Sequence, residues 1–135
     1  MASTKSPFYT VEIVEPSQYS IPQNFPLLEC FYVNFSYTHH THIRSSTTPT
    51  TTSFNYTFFI PWYILCDCDD FEEVDPDSVT MEYLHGTFSS CPISIDLLDP
   101  ILLHMGEYAR YMIEGNNEGH SILEMDVSVE VYTYS

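Results

Sequence analysis

The sequence predicts an α+β fold, mainly β: an antiparallel sheet or β-sandwich with one helix in the C-terminal half. Three observations carry this. Aromatic residues make up 16% of the chain, with 11 Tyr and 9 Phe, and flat rings favour a pleated, half-buried surface. Several short segments alternate apolar and polar residues with period two. One segment, and one only, carries a clear helical stripe, so regular strand–helix alternation and a parallel doubly wound sheet are excluded.

The elements follow in order. Phe8 to Val14 reads as a strand with Tyr9, Val11 and Ile13 on one face. Glu15 to Pro26 is cut by prolines and reads as a loop. Leu27 to Tyr37 is a second strand, with Phe31, Val33, Phe35 and Tyr37 facing one way and Cys30, Tyr32 and Asn34 the other. Residues 45–53 form a Ser/Thr tract with nothing to bury and read as a mobile loop. Phe54 to Cys66 reads as a strand interrupted at Pro61, which implies an edge position or a bulge. Asp67 to Asp77 is an acidic loop. Val79, Met81, Tyr83 and His85 alternate as in a further strand, ended by Gly86.

The helix is predicted over about 100–114. Asp99 is its expected cap, Pro100 suits a first turn, and Gly115 is a natural stop. Leu102, Met105, Ala109 and Met112 form its apolar stripe, flanked by Ile101, Tyr108 and Ile113. A final strand over about 122–133 sets Leu123, Met125, Val127, Val129 and Val131 against Glu124, Asp126, Ser128 and Glu130. The chain of 135 residues reads as a single domain without internal repeats.

Charge narrows the function. Lys and Arg number 3 against 19 Asp and Glu, for a net charge of −16. Lys5, Arg44 and Arg110 cannot form the cationic footprint that nucleic acid or an anionic membrane requires. The surplus of carboxylates reads first as a solvated, solubilising surface, with a basic partner or a cation as the sharper alternative. A protein partner is expected. The sequence shows no secretory signal and no membrane-spanning run, which predicts an intracellular location, cytoplasmic or nuclear. In that setting Cys30, Cys66, Cys68 and Cys91 are expected as thiols.

Three constellations carry candidate chemistry. His39, His40 and His42 with Cys66 and Cys68 offer imidazole and thiolate ligands for zinc. The Cys66–Cys68 spacing differs from the usual pairs of structural zinc sites, so three solvated histidines and two ordinary thiols are the plainer reading. Asp67, Asp69, Asp70, Glu72, Glu73, Asp75 and Asp77 offer oxygens for calcium. They lack the order and central glycine of a calcium loop, so a solvated loop is the plainer reading there. Cys30, Cys91, His85, His104 and His120 are the remaining nucleophile and base candidates. No nucleophile elbow, phosphate-binding glycine loop or H-E-x-x-H motif accompanies them. No catalytic residue and no cofactor is therefore assigned. Finally, Tyr9, Tyr32, Tyr37, Tyr56, Tyr132 and Tyr134 cannot all be core; ordinary strand filling accounts for most of them, and a remaining patch would fit a binding surface, since tyrosine is favoured at protein interfaces.

The run from Ile101 through Gly106-Glu107-Tyr108-Ala109-Arg110-Tyr111-Met112, followed by Ile122 to Val131, is a helix, a link and an acidic alternating strand. It resembles the segment preceding the RING-H2 finger in a group of plant E3 ubiquitin-ligase-like proteins. The strands Phe8 to Val14 and Phe31 to Phe35 are similar in character. The RING itself is missing, since the 4 cysteines cannot supply its cross-braced zinc ligands. The resemblance implies the partner- or substrate-binding part of such a protein, without ligase chemistry. The sequence reading is thus a non-catalytic protein-interaction domain. The alternatives are a metal-binding protein, through the His/Cys set or the acidic loop, and a small enzyme.

Overall fold

The computed structural model describes residues 8–20, 29–42, 50–66 and 79–134. Four strands and three helices follow one another: β1 (Phe8–Val14), β2 (Cys30–His42), β3 (Thr50–Pro61), α1 (Trp62–Cys66), α2 (Val79–Thr87), α3 (Ile95–Glu114) and β4 (Ile122–Tyr134). The class is α+β and mainly β, with one long helix before the last strand. The strands form one sheet in the order β1-β4-β2-β3. β1 pairs antiparallel with β4, and β2 with β3. The central pair, β2 and β4, is parallel, so the sheet is mixed rather than antiparallel throughout. Period-two alternation looks the same in either strand direction, which is why sequence could not fix this pairing.

Register aligns the apolar faces. Phe31 lies beside Ile60 on β3 and Leu123 on β4, and Phe35 beside Tyr56 and Val127. Phe31, Val33, Phe35 and Tyr37 are buried, as are Leu123, Met125, Val127, Val129 and Val131. α3 closes this face with Leu98, Ile101, Leu102, Met105, Ala109 and Met112, all buried. Each buried Leu, Ile or Met side chain contributes about 1.5–3 kcal/mol by leaving water.

Three expectations need correction. Val79 to His85 is not a strand but the first part of α2. The residues that decide this are Met81, Leu84 and Phe88, spaced for one helix face and all buried, while Tyr83 is 42% exposed. Beyond Pro61 the chain does not stay extended. Pro61 ends β3, the N–H of Trp62 donates to the Glu29 carbonyl at 3.1 Å, and α1 begins, burying Ile64 and Leu65. The proline does sit on an edge strand, as its missing donor requires. In the Ser/Thr tract, Thr50 to Ser53 are strand residues opposite Thr38 to Thr41, and residues 45–49 lie outside the described ones.

α3 also starts earlier than expected. Ser94 is its N-cap residue, in an extended conformation, and Pro100 falls inside the helix, leaving the Asp96 carbonyl without its usual donor. Asp99 is not a cap. Its Oδ1 meets His85 Nε2 at 2.7 Å and ties α2 to α3. Replacement of Asp99 by Ala is expected to lower stability by about 1 kcal/mol, read from the urea midpoint. Gly115 ends the helix as expected, its N–H donating to the Tyr111 carbonyl at 3.1 Å. The turn into β4 uses Gly119 at φ 70°, a conformation that side-chain-bearing residues adopt at a cost.

Candidate functional site

α3 carries two stripes. One is the core stripe above. The other consists of His104, Glu107, Tyr108 and Tyr111, at the i, i+3, i+4, i+7 spacing of a single helix face. This second stripe faces the edge strand β1, whose Tyr9, Val11 and Ile13 are only partly buried. Together they enclose a groove of about 600 Å³. The groove continues past Glu15, Met112 and Glu114, and then towards Tyr19, Glu118 and His120.

Its walls are tyrosine and carboxylate. Tyr108 and Tyr111 lie 5.9 Å apart between ring centroids, and Tyr111 is 70% exposed. The Glu15 N–H donates to the Tyr108 hydroxyl at 3.2 Å, which pins the chain after β1 to the helix. Further along, the Tyr19 and His120 rings are 5.1 Å apart, and His120 Nε2 lies 3.0 Å from Glu118. Burial, then the charge of Glu15, hold the Tyr19 phenol well above its usual value, so it stays a neutral donor. Among the described residues no Lys or Arg lines this groove.

The other face of the sheet is a polar ladder. Asn34 Nδ2 donates to Asp126 Oδ1 at 2.9 Å, and Ser36 Oγ to Asn55 Oδ1 at 2.9 Å. His40 stacks on Tyr132 at 4.7 Å and reaches Glu130 at 3.4 Å. Glu124, 2% exposed, accepts from Ser20 Oγ at 2.9 Å. Among the described residues no buried side-chain polar atom lacks a partner. This satisfied network holds the strands together rather than presenting groups to a ligand.

No protein-family model matches this chain, nor does any curated protein or solved structure. The site therefore rests on its own geometry.

The zinc candidates are not gathered. His39 and His40 point to opposite sheet faces, and His39 Nε2 meets Thr133 Oγ1 at 2.9 Å. His42 ends β2. Cys66 ends α1, at the other end of the sheet, beyond the strand length from Thr52 to Pro61, roughly 30 Å at ~3.3 Å per residue. Cys68 and the acidic loop Asp67 to Asp77 lie outside the described residues. Among the described residues no three His, Cys, Asp or Glu side chains cluster as a metal site.

The three described thiols, Cys30, Cys66 and Cys91, are shifted away from reactivity. Burial pushes the Cys91 thiol up to about 11. It also raises Cys30 and Cys66, the latter against the opposing pull of Arg110. Nucleophilic cysteines need the reverse shift. Of the tyrosines that sequence singled out, Tyr37 is core, Tyr56 packs on it, and Tyr32 and Tyr132 belong to the polar face. Among the described side chains of this set Tyr9 alone reaches the groove, and that of Tyr134 lies outside them. The groove's other rings, Tyr108 and Tyr111, were readable only as a second helical stripe beside the first.

Proposed function

We propose that this is a non-catalytic protein-interaction domain that takes its partner in the groove between β1 and α3. The observation that carries this is an open cleft lined by tyrosines and carboxylates, with no cation among its described lining residues, on a chain of net charge −16. Tyrosine brings rigid apolar area with a polar tip at little entropic cost, and such rings dominate interface energies. The ladder of the open face and the shielded thiols offer no comparable site. An intracellular setting fits the three described cysteines, all of them free. No helix among the described residues is long and apolar enough to cross a membrane. The narrower form of the reading makes the domain the partner-binding part of a RING-H2 ligase-like protein. Its support is the resemblance of the quoted strands and helix, and it predicts a captured partner that is ubiquitylated.

The test uses Tyr111→Ser combined with Glu107→Gln. Both side chains are exposed, so the fold is expected to persist by circular dichroism. Partners captured from extract by the wild-type chain are expected to fall at least about tenfold with the variant. Unchanged capture would remove the groove from the proposal. No specific capture by the wild-type chain would remove the interaction reading itself.

A further inference from the structure

We infer that the outer edge of β1 receives an added strand from an arginine-rich partner segment, whose alternate side chains lie in the groove beside it; this rests on the interaction reading above. β1 is the end of the sheet and is paired on one side only among the described residues. Its seven residues, Phe-Tyr-Thr-Val-Glu-Ile-Val, contain no proline, so no N–H on the side away from β4 is missing. An unpaired edge of this kind is a template for another strand.

The groove decides which face of the added strand matters. Side chains of an extended segment alternate between faces. Next to Tyr9, Val11 and Ile13, those pointing inwards meet Tyr108, Tyr111 and Glu107. Arginine suits such walls best, because its planar guanidinium stacks on tyrosine and pairs with carboxylates. Charge also excludes the simplest rival occupant. A second copy of this chain, paired edge to edge, would bring another net −16 against the first. The opposite edge, β3, is filled differently among the described residues. Its inward Phe54, Tyr56 and Phe58 rings stack in series, and Phe58 packs on Phe88 at 4.5 Å.

The probe is a seven-residue peptide alternating arginine and valine, titrated into the ¹⁵N-labelled full chain at low salt. The expected result is amide shifts concentrated on β1, Tyr108 and Tyr111, with a dissociation constant below ~1 mM. A peptide with glutamate in place of arginine is expected to give none. Methylation of one central arginine amide and one central valine amide interrupts both edges of the peptide and is expected to weaken binding about tenfold. Shifts spread evenly over the acidic surface, or no response to the arginine peptide, would overturn the inference. Equal binding of the methylated peptide with shifts still in the groove would overturn strand addition and leave the groove reading standing. The capture test with Tyr111→Ser and Glu107→Gln probes that reading separately.

Discussion

Phe88→Ala is expected to lower the stability of this domain by about 3–5 kcal/mol, a large part of the total for a chain of this size. Phe88 follows α2, its N–H donating to the Leu84 carbonyl at 3.0 Å, and it is 1% exposed. Its ring lies edge-on to Phe35 at 5.2 Å and 4.5 Å from Phe58. It is therefore the peg that joins α2 to the hairpin of β2 and β3. Truncation removes the transfer energy of the ring, leaves a cavity, and forfeits two aromatic contacts of about 0.5–1.5 kcal/mol each. The measurement is urea denaturation of Phe88→Ala beside Tyr83→Ala, whose ring is 42% exposed and whose loss is expected to cost less than about 1 kcal/mol. The pair also tests the element itself. If Val79 to His85 were a strand, Tyr83 would share the inward face with Met81, and its loss would cost several kcal/mol as well, about 3–5 for a buried ring.

That contrast explains what was legible in the sequence and what was not. β1, β2 and β4 were readable because each turns one face towards the core, only partly buried in β1 and buried as far as Tyr37 in β2, so apolar and polar residues alternate along them. The α3 stripe was readable for the same reason at helical period. Its start was misplaced because Pro100 has two meanings. A proline after Asp99 looks like a helix beginning, yet the helix already starts after Ser94 and the proline is carried inside it. In α2 the alternating set Val79, Met81, Tyr83 and His85 competes with Met81, Leu84 and Phe88, and over so few residues the two periods cannot be separated. The parallel central pair leaves no trace in either strand.

The groove was legible only in part. Composition indicated a surplus of tyrosines and of carboxylates, but not where they meet. Tyr9 and Tyr108 lie on distant parts of the chain and share a cleft only because β1 stands at the sheet edge, beside the second stripe of α3. Sequence placed most of the surplus rings on strands, and there the core and the polar ladder absorb them. The histidine and cysteine set fails to gather for a similar reason. Neighbours in the sequence of an extended strand face opposite ways, as His39 and His40 do, and the hairpin carries Cys66 to the far end.

The domain is expected to lose stability between about pH 9 and 11. The sign follows from burial. Desolvation raises the Cys91 thiol from its usual 9.0 to about 11, and raises Cys30, Cys66, Tyr37 and Tyr19 as well. In the unfolded chain these groups ionise at their ordinary values, while the folded chain still holds the protons. Between the two values the native state binds more protons, so stability present below the unfolded value falls as pH rises. Cys91 alone accounts for on the order of 2 kcal/mol across its window. The measurement is the urea midpoint followed from about pH 8 upwards. A rival cause is self-repulsion, since every ionised tyrosine adds to the net charge of −16. Cys91→Ala separates the two. It removes the buried thiol, which is 7% exposed, and leaves the surface charge as it was. A shallower alkaline decline in Cys91→Ala is the expected result. An identical decline would assign the loss to repulsion, and a flat midpoint in the wild-type chain would contradict the burial of all five groups.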